Sequence, residues 1–249
     1  MHLDYRLNRL TAEKAGQRDQ VREEAGGLLG IASDLKFHFS SGTGAKVNTS
    51  SVITNFLFSE KLKMDIGIIK ILLFGVSSGF LWYVSRASLR VVRSHGFYRF
   101  FAWEMILALT LVNSGMWFTH PLSFRQIISW IFLILSLLLL WNGLSMIRSM
   151  GQSNEQRQDA TLLAFEKTSV LVTSGIYRYI RHPLYGSLLF LAWGIFLKDV
   201  TWLSVSLVAV ASICLALTGR ADEAECIQHF GQSYEEYMSR TKMFIPFLF

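Results

Sequence analysis

Residues 171–186 read LVTSGIYRYIRHPLYG and lead directly into an apolar run. They include two arginines, one histidine and three tyrosines. Pro183 suits the first turn of a helix, where its missing N–H costs nothing. A residue that precedes a proline, here His182, is biased towards extended backbone. We therefore predict a polar turn that ends at His182 and a membrane helix that begins at Pro183.

The predicted start of this helix is a candidate binding site for an anionic group. The first turn of a helix offers unpaired N–H groups and a partial positive charge. Arg178 and Arg181 would add to that charge. Two apolar segments later the chain carries an acidic pair, Asp222 and Glu223.

The composition indicates an integral membrane protein. Of the 249 residues, 51% are hydrophobic, and the mean hydropathy is +0.35. About 20 apolar residues in a helix span the ~30 Å hydrocarbon core, and several windows are long enough. The net charge of +6 is modest, and the arginines cluster beside apolar runs, as the positive-inside rule expects. Nucleic-acid binding is therefore disfavoured. Cys214 and Cys226 form neither a disulfide framework nor a metal-ligand spacing.

We predict an all-α polytopic protein with about five transmembrane helices and a cytosolic C-terminal helical segment that starts near Arg220. Residues 64–150 would hold the first three spans, and residues 151–249 would hold the candidate site, a membrane hairpin and the C-terminal helix. The basic loop after the first span, with Arg86, Arg90 and Arg93, is expected on the cytosolic side. The predicted spans are residues 66–84, 97–118, 126–147, 183–197 and 201–217.

The polar residues 1–63 are expected to be poorly ordered. No signal-peptide pattern is present, because no apolar core follows the early basic residues. Five spans with a cytosolic C-terminus would require this extension to be translocated. A natural start at Met64 is the alternative, and both possibilities stay open.

Glu104 is an acidic residue well inside an apolar segment. Intramembrane carboxylates are functional candidates by default. Pairing with Arg99 or with a loop arginine is the alternative, so the role of Glu104 stays open.

The two halves of the C-terminal region together resemble a known family. The first half is the TSGxYRYxRHPxYx pattern. The second is the acidic pair followed by Phe230-Gly231, Tyr234, Tyr237 and Phe244-Ile245-Pro246. In this order they resemble the isoprenylcysteine carboxyl methyltransferase family and its phospholipid methyltransferase relatives, over residues 160–249. The resemblance implies a membrane-embedded methyltransferase with S-adenosylmethionine as cofactor.

The resemblance also implies the cofactor-binding residues. In relatives the residues just upstream of the first tyrosine, here residues 169–172, line the cofactor together with that tyrosine, the His-Pro-x-Tyr box and the first acid of the pair. If the cofactor is S-adenosylmethionine, Arg178 or Arg181 at the start of the helix would meet its carboxylate. The implied set is Leu171, Val172, Tyr177, Arg178, His182, Pro183, Leu184, Tyr185 and Asp222.

Arg181 and Glu223 are the predicted catalytic residues. Arg181 is an alternative partner of the cofactor carboxylate, and Glu223 or Glu225 would take the proton if the acceptor were an amine. No metal is needed, because methyl transfer relies on the cofactor. Taken singly, the tyrosines could be interface anchors and the glutamates the solvated face of a helix.

The expected acceptor is lipidic or a small apolar molecule that enters from membrane lipids, with a carboxylate, thiol or amine as the methylated group. Prenylcysteine-methylating relatives place an arginine four residues before the acidic pair, where this chain has Thr218. This difference weakens a prenylcysteine carboxylate as acceptor.

The alternative function is a membrane reductase or isomerase of the sterol-reductase-like type that uses a nicotinamide or haem. The box of such proteins usually reads RHPNYxGE. Here Leu184 and Ser187 differ from it and that glutamate is missing. The expected location is a bacterial inner membrane, with the endoplasmic reticulum as the alternative and the active site facing the cytosol.

Overall fold

The structure is a computed structural model that describes residues 49–119, 121–150 and 170–245, and these ranges are helical, with no β-strand. The prediction of an all-α fold is confirmed. The chain divides into two units, Met1–Gly67 and Ile68–Phe249, and the candidate site lies in the second. Most of residues 1–63 and the connector at 151–169 lie outside the described residues. The helices are α1 (Thr49–Leu89), α2 (His95–Val112), α3 (Phe124–Met150), α4 (Pro183–Phe196), α5 (Trp202–Phe230) and α6 (Gln232–Arg240), with 3₁₀ turns at Asn113–Met116 and Gly175–Arg178.

Three of these helices are long and apolar enough to cross a membrane: Thr54–Leu89 of α1, the whole of α3 and the whole of α5. Helix α4 is apolar but has only 14 residues. Helix α2 has 18 residues and carries Arg99 and Glu104, which lower its hydropathy. The chain is thus a membrane protein with three candidate spans. Crossings by α2 and α4 stay predictions.

Two helices extend further than the sequence predicted. We placed a first span at residues 66–84, but α1 begins at Thr49, so Met64 lies within the helix. We also separated the last span from a polar C-terminal helix, but α5 runs without interruption to Phe230. No proline lies between the two predicted pieces, and Gly219 does not end the helix. The acidic pair is therefore carried on a rigid extension of a membrane helix.

Helices α2 to α5 share one apolar core. Close helix packing supports it at Gly194 of α4, where an added Cβ would lie 2.9 Å from the side chain of Leu133 of α3. Such a contact is too short for any residue larger than glycine unless Leu133 or its backbone moves. The core residues are Ile106, Leu109, Leu133, Ala192, Ile195, Phe196, Val208 and Ala211.

A buried polar network joins the helices at the end of the bundle opposite the candidate site. Lys198, in the turn between α4 and α5, is fully buried, and its Nζ donates to Gln126 Oε1 at 3.0 Å. The same Nζ lies 3.5 Å from the ring centroid of Trp130, a cation–π contact. Asn113 Nδ2 donates to the carbonyls of Ile195 and Asp199. The ends of α2 and α3 are thereby fixed to the α4–α5 turn.

Glu104 contacts α1. It is 7% exposed, and its Oε1 accepts a hydrogen bond of 3.0 Å from Ser78 Oγ. The contact satisfies part of the hydrogen-bonding need of a carboxylate that lies among apolar helices.

Candidate active site

The polar turn before α4 has the form that the sequence predicted. His182 is the N-cap of α4, with φ −123° and ψ 63°, and Pro183 is the first helical residue. The His182 carbonyl accepts the first bond of the helix, from Gly186 N at 2.8 Å. Upstream, Gly175 has φ +60°, and a Cβ there would lie 2.7 Å from Met146 Sδ. Glycine is thus needed at this turn for its backbone conformation and for the space it leaves to α3.

The C-terminal segment lies directly against this turn. Arg181 N donates to the Lys242 carbonyl at 2.8 Å, and Lys242 N donates to the Tyr179 carbonyl at 3.1 Å. His182 N donates to the Met243 carbonyl at 3.1 Å. These bonds form a short parallel bridge around Ile180 and Lys242. The two halves of the sequence pattern are therefore joined through their backbones.

Two tyrosines of α6 support the same turn. Tyr237 donates its hydroxyl to the Tyr177 carbonyl at 2.6 Å, and it is 8% exposed. Tyr234 is 3% exposed, and its ring contacts that of Tyr237 edge-on. Burial raises the pKa of both phenols, so both stay neutral at any physiological pH. Gly231, with φ +59°, ends α5 and turns the chain into α6.

His182 lies between the two acids of α5. Its Nδ1 is 3.3 Å from Asp222 Oδ2, and its Nε2 is 3.5 Å from Glu223 Oε1. The imidazole is 6% exposed and stacks on Tyr185, with ring centroids 5.4 Å apart. Burial lowers the pKa of His182, but the neighbouring carboxylates of Asp222 and Glu223 raise it by more, so the net shift is upward.

Arg181 is bound to Glu223 and to the C-terminal segment. Its Nε donates to Glu223 Oε1 at 2.7 Å, and the two side chains are 10% and 11% exposed. Its Nη1 donates to the carbonyls of Met238 and Thr241. In the described structure the guanidinium thus links α5, α6 and the chain beyond α6. The predicted catalytic pair forms a buried ion pair.

One cavity of about 120 Å³ opens at the start of α4. Eight of the nine residues that the sequence predicted as cofactor-binding line it, since Arg178 is the only one absent from its wall. Arg181 lines it too, whereas Glu223 does not. The lining residues are Ile147, Leu171, Val172, Tyr177, Arg181, His182, Pro183, Leu184, Tyr185, Asp222, Cys226, Phe230, Tyr234 and Tyr237.

The remaining residues that the sequence predicted for the site lie in different surroundings. Arg178 lies in the 3₁₀ turn with an exposed side chain. Glu223 is 8% exposed, so it does not belong to a solvated helix face, and Glu225 is paired with His95. Ser169 lies outside the described residues.

Sequence reasoning missed Ile147 and Cys226 as lining residues and His95 as a partner of Glu225. The position of Cys226 one turn after Asp222 was a usable signal. His95 carried no such signal, because its partner is 130 residues away.

The cavity combines three kinds of chemistry. The start of α4 and Arg181 provide positive potential. Asp222 provides a hydrogen-bond acceptor, and Tyr177 and Tyr185 provide aromatic rings. Apolar side chains, including Leu171 and Leu184, form much of the remaining wall. Among the described residues no group of His, Cys, Asp and Glu is suited to hold a metal ion. The arrangement suits a zwitterionic ligand with an aromatic part.

The pH dependence of stability tests the environment of His182. A histidine whose pKa is raised on folding stabilises the fold below its unfolded pKa of about 6.5, and this contribution is lost as the pH rises through the folded pKa. We expect the melting temperature in detergent to fall between pH 6 and pH 9 more steeply in the parent than in His182→Gln. Subtracting one profile from the other cancels the contribution of the other titrating groups, such as His95. Parallel profiles would contradict a charged His182 between Asp222 and Glu223.

The comparisons with known proteins give one family match. No curated protein matches the chain significantly. Residues 127–233 match the family model of phospholipid methyltransferases, a region that contains most of α3, all of α4 and α5, and the first residues of α6. Residues 127–233 therefore form a phospholipid methyltransferase domain, of the type that belongs to the isoprenylcysteine carboxyl methyltransferase/phospholipid methyltransferase family.

Proposed function

We propose that the protein is an integral membrane methyltransferase that transfers a methyl group from S-adenosylmethionine to a lipidic or small apolar acceptor. The observation that carries this proposal is the cavity at the start of α4, with His182 fixed between Asp222 and Glu223. The family match supports methyl transfer as the reaction class.

The residues of the cavity fit the parts of this cofactor. The start of α4 and Arg181 suit its carboxylate. Asp222 suits the ammonium or the ribose hydroxyls, and the rings of Tyr177 and Tyr185 suit the adenine or the sulfonium. When bound, S-adenosylmethionine supplies the methyl group on a positive sulfonium. The protein's part is to hold the sulfonium and the acceptor in line and to exclude water from them.

The acceptor class follows from the apolar part of the wall and from the paired acids. Ile147, Leu171 and Leu184 form an apolar part of the cavity wall, which suits the apolar part of an acceptor. Glu223 and Glu225 are both held in ion pairs. An acceptor that arrives as a carboxylate or thiolate needs neither of them as a base, whereas an amine must lose a proton. We therefore favour an anionic acceptor group on an apolar molecule.

We also propose five membrane crossings, with α2 and α4 completing the three apolar helices, and a cytosolic active site. Contacts place the end of α3, the start of α4 and the start of α2 at the same end of the bundle as the acidic part of α5. That end carries Arg86, Arg90, Arg93, Arg148 and Arg178. The excess of arginine favours the cytosolic side. A bacterial inner membrane is the proposed location.

Calorimetric titration of S-adenosylmethionine into the detergent-purified protein tests the proposal. We expect micromolar binding by the parent protein. Labelled methyl transfer into lipid extracts would then identify the acceptor class, because base releases labelled methanol from a methyl ester but not from a methyl thioether or a methylamine. A folded parent without measurable binding would refute the use of this cofactor.

A further inference from the structure

The start of α2 is bound to α5 next to the candidate site. His95 is fully buried, and its Nδ1 lies 2.7 Å from Glu225 Oε2. The backbone N–H of His95 donates to the other oxygen of the same carboxylate at 3.1 Å. One carboxylate thus takes both the side chain and the main chain of His95, and it lies at a helix N-terminus, where negative charge is favourable.

This contact adjoins the acid that lines the cavity. Glu225 follows Asp222 by three residues on α5, so the two lie about one turn apart. Cys226, in the same turn, has its Sγ 3.8 Å from Asp222 Oδ1 and lines the cavity. Burial raises the pKa of Asp222, but His182 lowers it, and the charges of His95 and of Arg99, one turn further along α2, lower it as well. Arg99 is 4% exposed and lies over the ring of Trp103.

We infer that His95 is a positioning residue of the methyl-transfer site, which acts through Glu225 to hold the acidic turn of α5, and hence Asp222, in place against His182. The inference rests on the proposed function. It extends the site beyond the family match, because α2 lies outside residues 127–233. Helix α5 is contacted at Asp222 and Glu223 from the α4 side, and the His95 contact supports the same turn from the side of α2.

His95→Leu and His95→Asn separate a positioning role from a purely structural one. Leucine fills the buried volume without a donor, whereas asparagine keeps an N–H donor near the position of Nδ1. We expect the dissociation constant and the KM of S-adenosylmethionine to rise about tenfold in His95→Leu, because a displaced Asp222 loses part of its charge-assisted hydrogen bonding to the cofactor. The kcat at saturating cofactor should change less. His95→Asn should recover most of the affinity.

Glu225→Gln provides a second test that does not depend on the folding of His95→Leu. It removes the charge from the same contact and should also weaken cofactor binding. Glu235→Gln, an exposed acid of α6, is the matched control and should bind as the parent does.

The outcomes distinguish the inference from the proposed function. Weaker binding in His95→Leu and Glu225→Gln with recovery in His95→Asn supports the inference. A parent that binds the cofactor while both variants bind it equally well overturns the inference and leaves the function intact. Equal losses in the leucine and asparagine variants also overturn it. A folded parent that binds no cofactor refutes the proposed function itself.

Discussion

Asp222→Asn is expected to weaken S-adenosylmethionine binding roughly 100-fold, while the protein remains folded in detergent. Asp222 lines the cavity, and its Oδ2 lies 3.3 Å from His182 Nδ1. The substitution keeps the shape of the side chain but removes the negative charge that would face the cofactor and that orients the imidazole. Losing charge-assisted hydrogen bonds in a buried site produces an effect of this size. Titration calorimetry measures it directly.

Glu223→Gln is the informative comparison for this result. Glu223 is the neighbouring acid, but it does not line the cavity, and its main contact is with Arg181. We expect its loss to reduce stability more than cofactor affinity. Glu235→Gln again serves as the exposed control. If Asp222→Asn and Glu223→Gln weakened binding to the same degree, the assignment of Asp222 to the cofactor would be wrong.

The fold was predictable where local chemistry decides it. The change from a polar turn to an apolar run at Pro183 placed the start of α4 at the residue where the structure has it. Helix ends without such a signal were misplaced. Gly219, the one residue between 217 and 220 that could have ended a helix, does not do so, and α5 continues for about three more turns to Phe230. Side-chain hydropathy indicates where a helix leaves the membrane. It does not indicate where the helix ends, because the backbone hydrogen bonds can continue past that point.

The site was predictable to the extent that it lies within continuous motifs. The residues from Leu171 to Tyr185 that line the cavity occur in one stretch, and Asp222 belongs to the second motif. What could not be predicted is how charged groups pair across the fold. Arg181 and Glu223 were predicted as catalytic residues, and nothing in the sequence indicated that they would pair with each other. Pairing of this kind depends on distances between helices, which a single sequence does not contain.

The acidic turn of α5 explains why several charges can be buried at this end of the bundle. Asp222 and Glu223 contact His182, Glu223 also contacts Arg181, and Glu225 contacts His95. Each acid therefore meets a basic group from another segment. A buried charge is tolerated only when it is paired and hydrogen-bonded. The same pairs hold three segments around one cavity, so stability and site geometry depend on the same residues.

The second large effect is expected at the ion pair between Arg181 and Glu223. Arg181→Met should reduce the free energy of unfolding by about 3–5 kcal/mol, because it leaves a buried carboxylate without its guanidinium partner. It also removes the hydrogen bonds to the carbonyls of Met238 and Thr241. Denaturant-induced unfolding in mild detergent gives the value.

A double-mutant cycle separates the pair from these other contacts. In Arg181→Met/Glu223→Gln the unpaired charge is gone, so the loss of stability should be smaller than the sum of the single losses, with a coupling of about 1–3 kcal/mol. The matched control is the ion pair of Arg240 and Glu236, which lies at 3.6 Å with side chains 75% and 59% exposed. Its cycle should give less than about 1 kcal/mol, because water screens an exposed pair. Additive losses at Arg181 and Glu223 would mean that the guanidinium stabilises the protein through the carbonyls of the C-terminal segment rather than through the acidic turn of α5.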